Sequence, residues 1–204
     1  MPLMRRADLL AMMTACLLPG AGLSQSLTDG TTLHPDDERR LADYHAAAGD
    51  ALLEAFAAGD AADLNLLADA LSGVPLPADQ ALTLMPGDWS CRMIKVGGLL
   101  PIVVYQPFRC RVGADGSFEK PTGSQRTKGR VHLDGDRLVY LGTGFIAGDS
   151  PPPYADLPPF DPGQSGPQRI PEVGVVEIVD SRRGRVMLPH PHLESRFNIL
   201  SLSR

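Results

Sequence analysis

The residues best suited to chemistry lie in one short stretch, TGSQR, at positions 122–126. Ser124 is a hydroxyl nucleophile by type, and Gln125 and Arg126 carry donors that suit a carboxylate or another anion. The nucleophile elbow Gly-x-Ser-x-Gly, however, needs a glycine where Arg126 stands. The stretch therefore predicts no catalytic serine. It predicts a turn in which Gly123 takes backbone angles that are closed to other residues.

Three more arginines belong to this region in the strand pairing described below. That pairing puts Arg92 directly opposite Arg109, and like charges opposed across strands cost up to about 1 kcal/mol unless they are neutralised. We therefore predict one polar or anion-binding cluster, formed by Arg92, Arg109, Arg111, Ser124, Gln125 and Arg126. Its neutraliser is either a bound small anion or a carboxylate such as Glu119, Asp136, Glu177 or Glu194. Both alternatives stay open.

A second group of candidates is His190, His192 and Glu194, which are weak candidates for a metal site. Alternate residues of a strand share a face, so these three side chains would point at one ion. Pro191 disturbs a regular strand, and the cysteines are expected to pair with each other. No phosphate loop, paired CxxC or nucleotide fingerprint occurs. We predict no tightly bound metal and no cofactor.

The first 24 residues have the layout of a secretory signal. Arg5 and Arg6 precede an apolar run over 9–18, which is followed by small residues. The run is too short to span a membrane, so no anchor is expected after removal of the signal. We predict residues 1–24 as a signal peptide and a periplasmic mature protein, with a lipoprotein attached through Cys16 as the minor alternative.

Export affects the interpretation of the remaining cysteines, Cys91 and Cys110. An even pair in an oxidising compartment predicts a disulfide. The alternating segments GDWSCRMIKV and IVVYQPFRCRV predict a hairpin centred between Leu100 and Pro101. This register places Trp89 opposite Val112, Cys91 opposite Cys110, and Met93 opposite Phe108.

The elements around these residues indicate an α+β protein. Apolar spacing from Leu41 to Phe56 predicts one helix over 35–58, and Asp60 caps a second helix. We expect a helical hairpin within 25–73, followed by an antiparallel β domain over 74–204. Short strands with tight turns, such as Asp134-Gly135, favour a small barrel or sandwich of about eight strands with one disulfide.

The segment 149–171 holds eight prolines and breaks the strand pattern. A loop of this length is either functional or disordered, or an ordered excursion packed by its own apolar residues. Tyr154, Leu157 and Phe160 need cover, which favours the ordered excursion.

Several motifs together resemble a known family. They are CRMIKVGG, PFRCRV, KPTGSQRTKG, GDRLVYLG and ESRFNIL. This set is similar to an alphaproteobacterial group of short secreted proteins, catalogued as domain of unknown function four-eight-nine-three. The resemblance covers about residues 35–204. It implies an exported protein with a paired-cysteine β domain. The resemblance does not indicate any activity. Gly87-Asp88-Trp89 also looks like the start of lipocalin-like barrels and of small periplasmic protease inhibitors, as an analogy of fold.

Three classes of function fit this sequence. The first is a non-enzymatic periplasmic binding or inhibitory module, monomeric, with a small anion or a periplasmic protein as its partner. The second is a periplasmic hydrolase-like or metal-dependent enzyme with a loop-built site, and the third is a structural protein of the cell envelope. A net charge of −5 without a dominant basic tract excludes a nucleic-acid binder. The missing catalytic pattern favours the first class.

Overall fold

The computed structural model describes residues 25–163 and 168–204, so the predicted signal segment 1–24 and Cys16 lie outside the described residues. Within these residues four helices precede nine strands. The helices are α1 (Pro35–Ala42), α2 (Tyr44–Ala58), α3 (Ala61–Leu71) and α4 (Ala78–Leu84). The strands are β1 (Gly87–Gly98), β2 (Ile102–Val104), β3 (Phe108–Val112), β4 (Ser117–Lys120), β5 (Gln125–Asp134), β6 (Arg137–Ile146), β7 (Arg169–Asp180), β8 (Arg183–Pro189) and β9 (Ser195–Ser203).

The strands form an antiparallel barrel. Hydrogen bonding runs from β1 through β3 to β9 in chain order, and β9 pairs back with β1 to close eight strands. The extra strand β2 continues the pairing of β1 beyond the end of β3. The α+β class, the barrel and the single disulfide are thus confirmed. Among the helices of the described part of the chain, none has the length and apolar character needed to cross a bilayer.

The predicted register of the first hairpin is wrong by two residues. Trp89 lies opposite Cys110, and Cys91 lies opposite Phe108. The reason is the position of the turn. Val96 pairs with Ile102, so the hairpin is centred on Leu99 rather than between Leu100 and Pro101, which displaces the register by three residues. Residues 105–107 face only two residues of β1, and this bulge restores one of the three. The two cysteines are therefore diagonal neighbours, and their Cα atoms, 5.8 Å apart, are within bridging distance.

The long helix predicted over 35–58 is interrupted at Asp43. The backbone of this residue leaves the helical region, and its carboxylate contacts His190 after β8. As a result α1 packs on β7, while α2 packs on β1 and β9. The cap of the next helix is as predicted, with the Ala62 amide donating to Asp60 Oδ1 at 2.8 Å. The helix α4 was not predicted.

Helix α2 packs against the barrel through alanines rather than through its large side chains. Ala47, Ala51 and Ala55 are buried, whereas the predicted core residue Phe56 is 61% exposed. Gly97 of β1 faces this helix, and a Cβ there would lie 3.2 Å from the Ala51 Cα. Small residues on both sides therefore permit a close approach of helix and strand.

The interior of the barrel differs from one end to the other. Along β1 the odd-numbered residues point inward, from Trp89 through Cys91 and Met93 to Lys95. Near Trp89 the interior is filled by apolar side chains and covered by α4, and the Trp89 indole donates to the Met85 carbonyl at 2.8 Å. Near Lys95 the interior is open. The fold thus places the polar ends of the strands around a cavity.

The proline-rich segment is ordered where the structure describes it, over 149–163 and 168–171. Tyr154 and Leu157 are buried, as the ordered-excursion interpretation requires. Phe160 stacks on His192, with ring centroids 3.9 Å apart. The Thr143 hydroxyl donates to the Pro152 carbonyl at 2.9 Å. We call the described residues 149–163 the strap, because they cover the outer face of β6.

Candidate functional site

The open end of the barrel holds a cavity of about 410 Å³. This volume is within the range of small-molecule sites. Its wall includes the apolar side chains of Met93, Phe108, Phe145, Ile170 and Leu188. Its mouth is marked by lining residues that are exposed to solvent, namely Gln106, Ser124, Gln125, Ile146 and Gln168. The combination of an apolar wall and a polar mouth suits an amphipathic molecule.

Glycines on β6 make room inside the barrel. A Cβ on Gly142 would collide with the hydroxyl of Tyr140, and a Cβ on Gly144 would lie 2.8 Å from Glu172 Oε1. The first two inward positions of this strand beyond Tyr140 therefore carry no side chain. Their space is taken by the Tyr140 hydroxyl, the Glu172 carboxyl and the cavity itself.

Lys95 is the first of the cations in the cavity wall. It is 7% exposed and forms an ion pair with Glu194. Its ammonium also donates to Gln125 Oε1 at 3.0 Å. Glu194 has a left-handed backbone, with φ of 69°, which is unusual for a residue other than glycine. The positive charge of Lys95 is thus neutralised by the connection between β8 and β9.

Lys120 faces the same cavity in a different environment. It is 4% exposed, and its Nζ donates to the carbonyls of Thr122 at 2.9 Å and Gln125 at 2.6 Å. The Nζ also lies 4.0 Å from the centroid of the Phe108 ring. Burial lowers the pKa of Lys120 to about 8, opposed by the charge of Glu172 and aided by the charges of Arg126 and Lys95.

Arg126 is the cation that most clearly lacks a countercharge. It is half-buried, and its Nε donates to the Gly123 carbonyl at 3.1 Å. Among residues 25–163 and 168–204, no carboxylate lies within 4.0 Å of its guanidinium. Two of the four carboxylates suggested from sequence have other partners, since Glu177 pairs with Arg185 and Glu194 pairs with Lys95.

Glu172 is a carboxyl group inside the barrel, and part of its surface faces the cavity. The Thr127 hydroxyl is hydrogen-bonded both to this carboxyl and to the Tyr140 hydroxyl. Burial raises the pKa of Glu172, although Thr127 and the nearby cations oppose that effect. Burial also raises the pKa of Tyr140, whose side chain is fully enclosed.

The fourth cation, Arg40, reaches the cavity from α1. Its guanidinium donates to Asp37 Oδ1 at 2.6 Å and to the Pro171 and Pro189 carbonyls, both at 3.1 Å. It also lies 3.3 Å from His192 Nε2. Burial, followed by the charge of Arg40, lowers the pKa of His192 to about 4. His192 is therefore neutral near pH 7 and accepts the hydrogen bond from Arg40.

The structure divides the predicted six-residue cluster. Ser124, Gln125 and Arg126 line the cavity, whereas Arg92, Arg109 and Arg111 lie on the outer face of the barrel. The predicted opposition of Arg92 and Arg109 does not occur, because the turn is centred on Leu99 and the register differs from the predicted one. Arg92 lies opposite Ser201, Arg109 opposite Ser90, and Arg111 pairs with Asp88 at 2.7 Å.

The three metal candidates have three different partners. His190 contacts Asp43, His192 contacts Arg40, and Glu194 pairs with Lys95. His192 does lie within 4.8 Å of carboxylate oxygens of Asp36 and Asp37, but the guanidinium of Arg40 is bonded among them. The expectation that no metal is tightly bound stays a prediction.

Sequence reasoning missed the charged residues of the interior, Arg40, Lys95, Lys120 and Glu172. A signal was present for two of them. Lys95 continues the inward alternation of Cys91 and Met93, and Lys120 follows Phe118 by two positions. Glu172 lies in a proline-flanked stretch where the strand pattern is weak, and Arg40 comes from a helix whose docking the sequence does not show.

With this geometry established, the comparisons with known proteins identify the family. Residues 31–202 match the family described as Domain of unknown function (DUF4893). The chain belongs to this family. No curated protein and no solved structure matches it. The resemblance found in the sequence motifs is thus confirmed for most of the chain, and the family description assigns no activity.

Proposed function

We propose that this DUF4893 protein is an exported, non-enzymatic binding module that takes a small amphipathic anion into its barrel. One observation carries the proposal. Arg126 and Lys120, neither of which has a carboxylate partner among the described residues, lie in the wall of a 410 Å³ cavity beside apolar side chains. A ligand with an acidic head and an apolar tail matches both features.

The charge balance of the cavity favours an anion. Arg40 and Lys95 are neutralised by Asp37 and Glu194, which leaves Arg126, Lys120 and Glu172. Even with Glu172 ionised, these two cations face one carboxylate in the cavity wall. The cavity is therefore cationic within a chain of net charge −5. A bound anion would supply the missing countercharge.

The enzyme alternatives have less support from the contacts. Ser124 is exposed at the cavity mouth, and its hydroxyl has no histidine partner in the described part of the chain. The disulfide between Cys91 and Cys110 suits an oxidising compartment, which supports export. A binding role also requires no group beyond those that line the cavity.

Calorimetric titration with decanoate tests this proposal, with decanol as the uncharged ligand of equal chain length. We expect the Arg126→Gln variant to bind decanoate about tenfold or more weakly, because a charge-assisted hydrogen bond is lost. Decanol affinity should not change. The Met93→Trp variant, which fills the apolar wall, should weaken both ligands.

Two variants control for general effects. Arg130→Gln removes a cation from the same strand, but Arg130 is exposed and pairs with Asp115 outside the cavity. Phe56→Trp enlarges an exposed side chain of α2. Both should bind like the wild type. Equal loss of decanoate affinity in Arg126→Gln and Arg130→Gln would disprove a specific anion seat in the barrel.

A further inference from the structure

Lysine is used in an unusual way in this chain. Of its 19 basic residues only three are lysines, Lys95, Lys120 and Lys128, and the other sixteen are arginines. Lys95 and Lys120 are buried in the cavity wall, while Lys128 is exposed on the outer face of β5. An arginine stays charged in proteins, whereas a lysine can lose its proton and become a nucleophile. Two of the three lysine amines thus lie in the interior of the barrel.

The two interior lysines are not equivalent. The ammonium group of Lys95 forms an ion pair with the Glu194 carboxylate. An ammonium group has no lone pair with which to attack a carbonyl carbon. Lys120 has only uncharged acceptors, the carbonyls of Thr122 and Gln125, and no carboxylate within 4.0 Å among the described residues. A neutral amine has two N–H bonds and one lone pair. Both N–H bonds of Lys120 can therefore be satisfied while the lone pair remains available.

The turn at 122–125 is shaped around this amine. Gly123 has a φ of +88°, and a Cβ there would lie 3.1 Å from Lys120 Nζ and 2.9 Å from the Phe108 ring. The glycine allows the chain to curl so that two carbonyls of one turn reach the same nitrogen. The sequence TGSQR thus holds the Lys120 side chain in place at the cavity.

A titratable carboxyl group, Glu172, lines the same cavity as Lys120. Burial raises the pKa of Glu172, and burial lowers the pKa of Lys120 to about 8. Condensation of an amine with a carbonyl group needs a neutral amine and an acid–base group in the same site, and these two residues supply them. The Thr127 hydroxyl, bonded to Glu172 and Tyr140, orients this carboxyl group.

We propose that Lys120 captures an aldehyde ligand inside the barrel as a reversible imine. The neutral amine attacks the carbonyl carbon, a C–N bond forms, and the proton that the nitrogen then loses is transferred to the carbonyl oxygen to give a carbinolamine. Transfer of a proton from Glu172 to the carbinolamine hydroxyl releases water, and loss of the nitrogen proton restores the Glu172 carboxyl group. The net reaction joins amine and aldehyde with loss of one water and no change of oxidation state. This inference rests on the proposed binding function and specifies its ligand class.

Reductive trapping tests the inference. The mature protein is incubated with pyridoxal 5′-phosphate, an aldehyde that carries an anion, and is then reduced with cyanoborohydride. Peptide mass mapping gives the labelled fraction at each lysine. At pH 7.5 we expect at least about tenfold more label on Lys120 than on the exposed Lys128, because the lowered pKa of Lys120 provides neutral amine at this pH and only Lys120 lies in the cavity that would hold the anionic aldehyde. Lys128→Arg should keep the Lys120 adduct, and Lys120→Arg should lose it.

Decanoate competition makes the result specific to the cavity. A saturating amount of decanoate should prevent labelling of Lys120 by the aldehyde and leave labelling of Lys128 unchanged. Labelling of Lys128 equal to or above that of Lys120 in the wild type would overturn the inference, even if Lys120→Arg fails to fold. Decanoate binding without labelling of Lys120 would disprove the imine and leave the binding function in place. Labelling of Lys120 without decanoate binding would support the imine and disprove the proposed binding of an amphipathic anion.

Discussion

Buried charges in this barrel are neutralised by specific local partners. Asp37 is fully buried, and it is held by Arg40 at 2.6 Å and by the Tyr154 hydroxyl at 2.7 Å. Arg185 is held by Glu177 and by carbonyls of the α3 end. Charges that are removed from water without partners cost several kcal/mol each. The few interior groups that lack an opposite charge therefore stand out as binding candidates.

At the scale of the residue, His192 makes stability depend on pH. Its folded pKa of about 4 lies below the ordinary value of 6.5, so the folded state resists protonation. Its contribution is fully present above about pH 6.5 and is lost as the pH falls towards 4. The difference between these two pKa values corresponds to about 3 kcal/mol. Because solvent reaches part of the imidazole, we expect a loss of about 2 kcal/mol. Urea unfolding at pH 7 and pH 4.5 should show this loss in the wild type and a smaller loss in His192→Gln.

The matched control for this prediction is His45→Gln. His45 is exposed on α2, and its substitution should leave the pH dependence of the wild type unchanged. Other groups also titrate between pH 7 and pH 4.5. The test is therefore the difference in unfolding free energy between the wild type and each variant. Parallel curves for the wild type and His192→Gln would show that His192 is not the responsible group.

At the scale of the element, the strap is held to the barrel by hydrogen bonds to its backbone and to one tyrosine. Tyr154 stacks on His34, with centroids 4.5 Å apart, and its hydroxyl donates to Asp37. The Tyr154→Phe variant keeps the ring but leaves the buried Asp37 with one bond fewer. We expect a loss of about 1–3 kcal/mol in unfolding free energy, together with faster proteolytic cleavage within 149–163.

Tyr105→Phe is the control for the strap. The Tyr105 hydroxyl has no hydrogen-bond partner in the described part of the chain, so its removal should change neither stability nor cleavage. Equal effects of the two substitutions would mean that the Tyr154 hydroxyl does not anchor the strap. If cleavage of Tyr154→Phe increases only under conditions that unfold the whole protein, the Tyr154 hydroxyl does not anchor the strap either.

The elements differ in how well the sequence predicts them. The hairpin of β5 and β6 was predicted because its turn at Asp134-Gly135 fixes the register locally, with Asp134 opposite Arg137. The first hairpin failed because its turn is centred on Leu99 and not between Leu100 and Pro101, and a bulge at 105–107 restores only one of the three displaced residues. Helix α2 was placed correctly in the chain, but its buried face was not. Alanines pack there because the adjacent strand comes close, which is a property of the tertiary structure.

At the scale of the whole molecule, the alternation of residues predicts which side chains point into the barrel but not which end they fill. Trp89 and Lys95 share one face of β1, yet one lies in a packed core and the other at a cavity. The difference depends on α4 covering one end and on glycines of β6 opening the other. Half of the predicted anion cluster, Ser124 to Arg126, thus lies at the cavity, and the rest lies outside.

The crystal structure of the mature protein with decanoate is the most direct test of ligand binding inside the barrel. We predict its carboxylate within hydrogen-bond distance of the Arg126 guanidinium and its chain along Met93 and Phe108. In the Met93→Trp variant the same position should be empty of decanoate under identical conditions. Decanoate bound only on the outer surface, for instance against the exposed Phe56, or a barrel without ligand at saturating concentration, would contradict the proposed function.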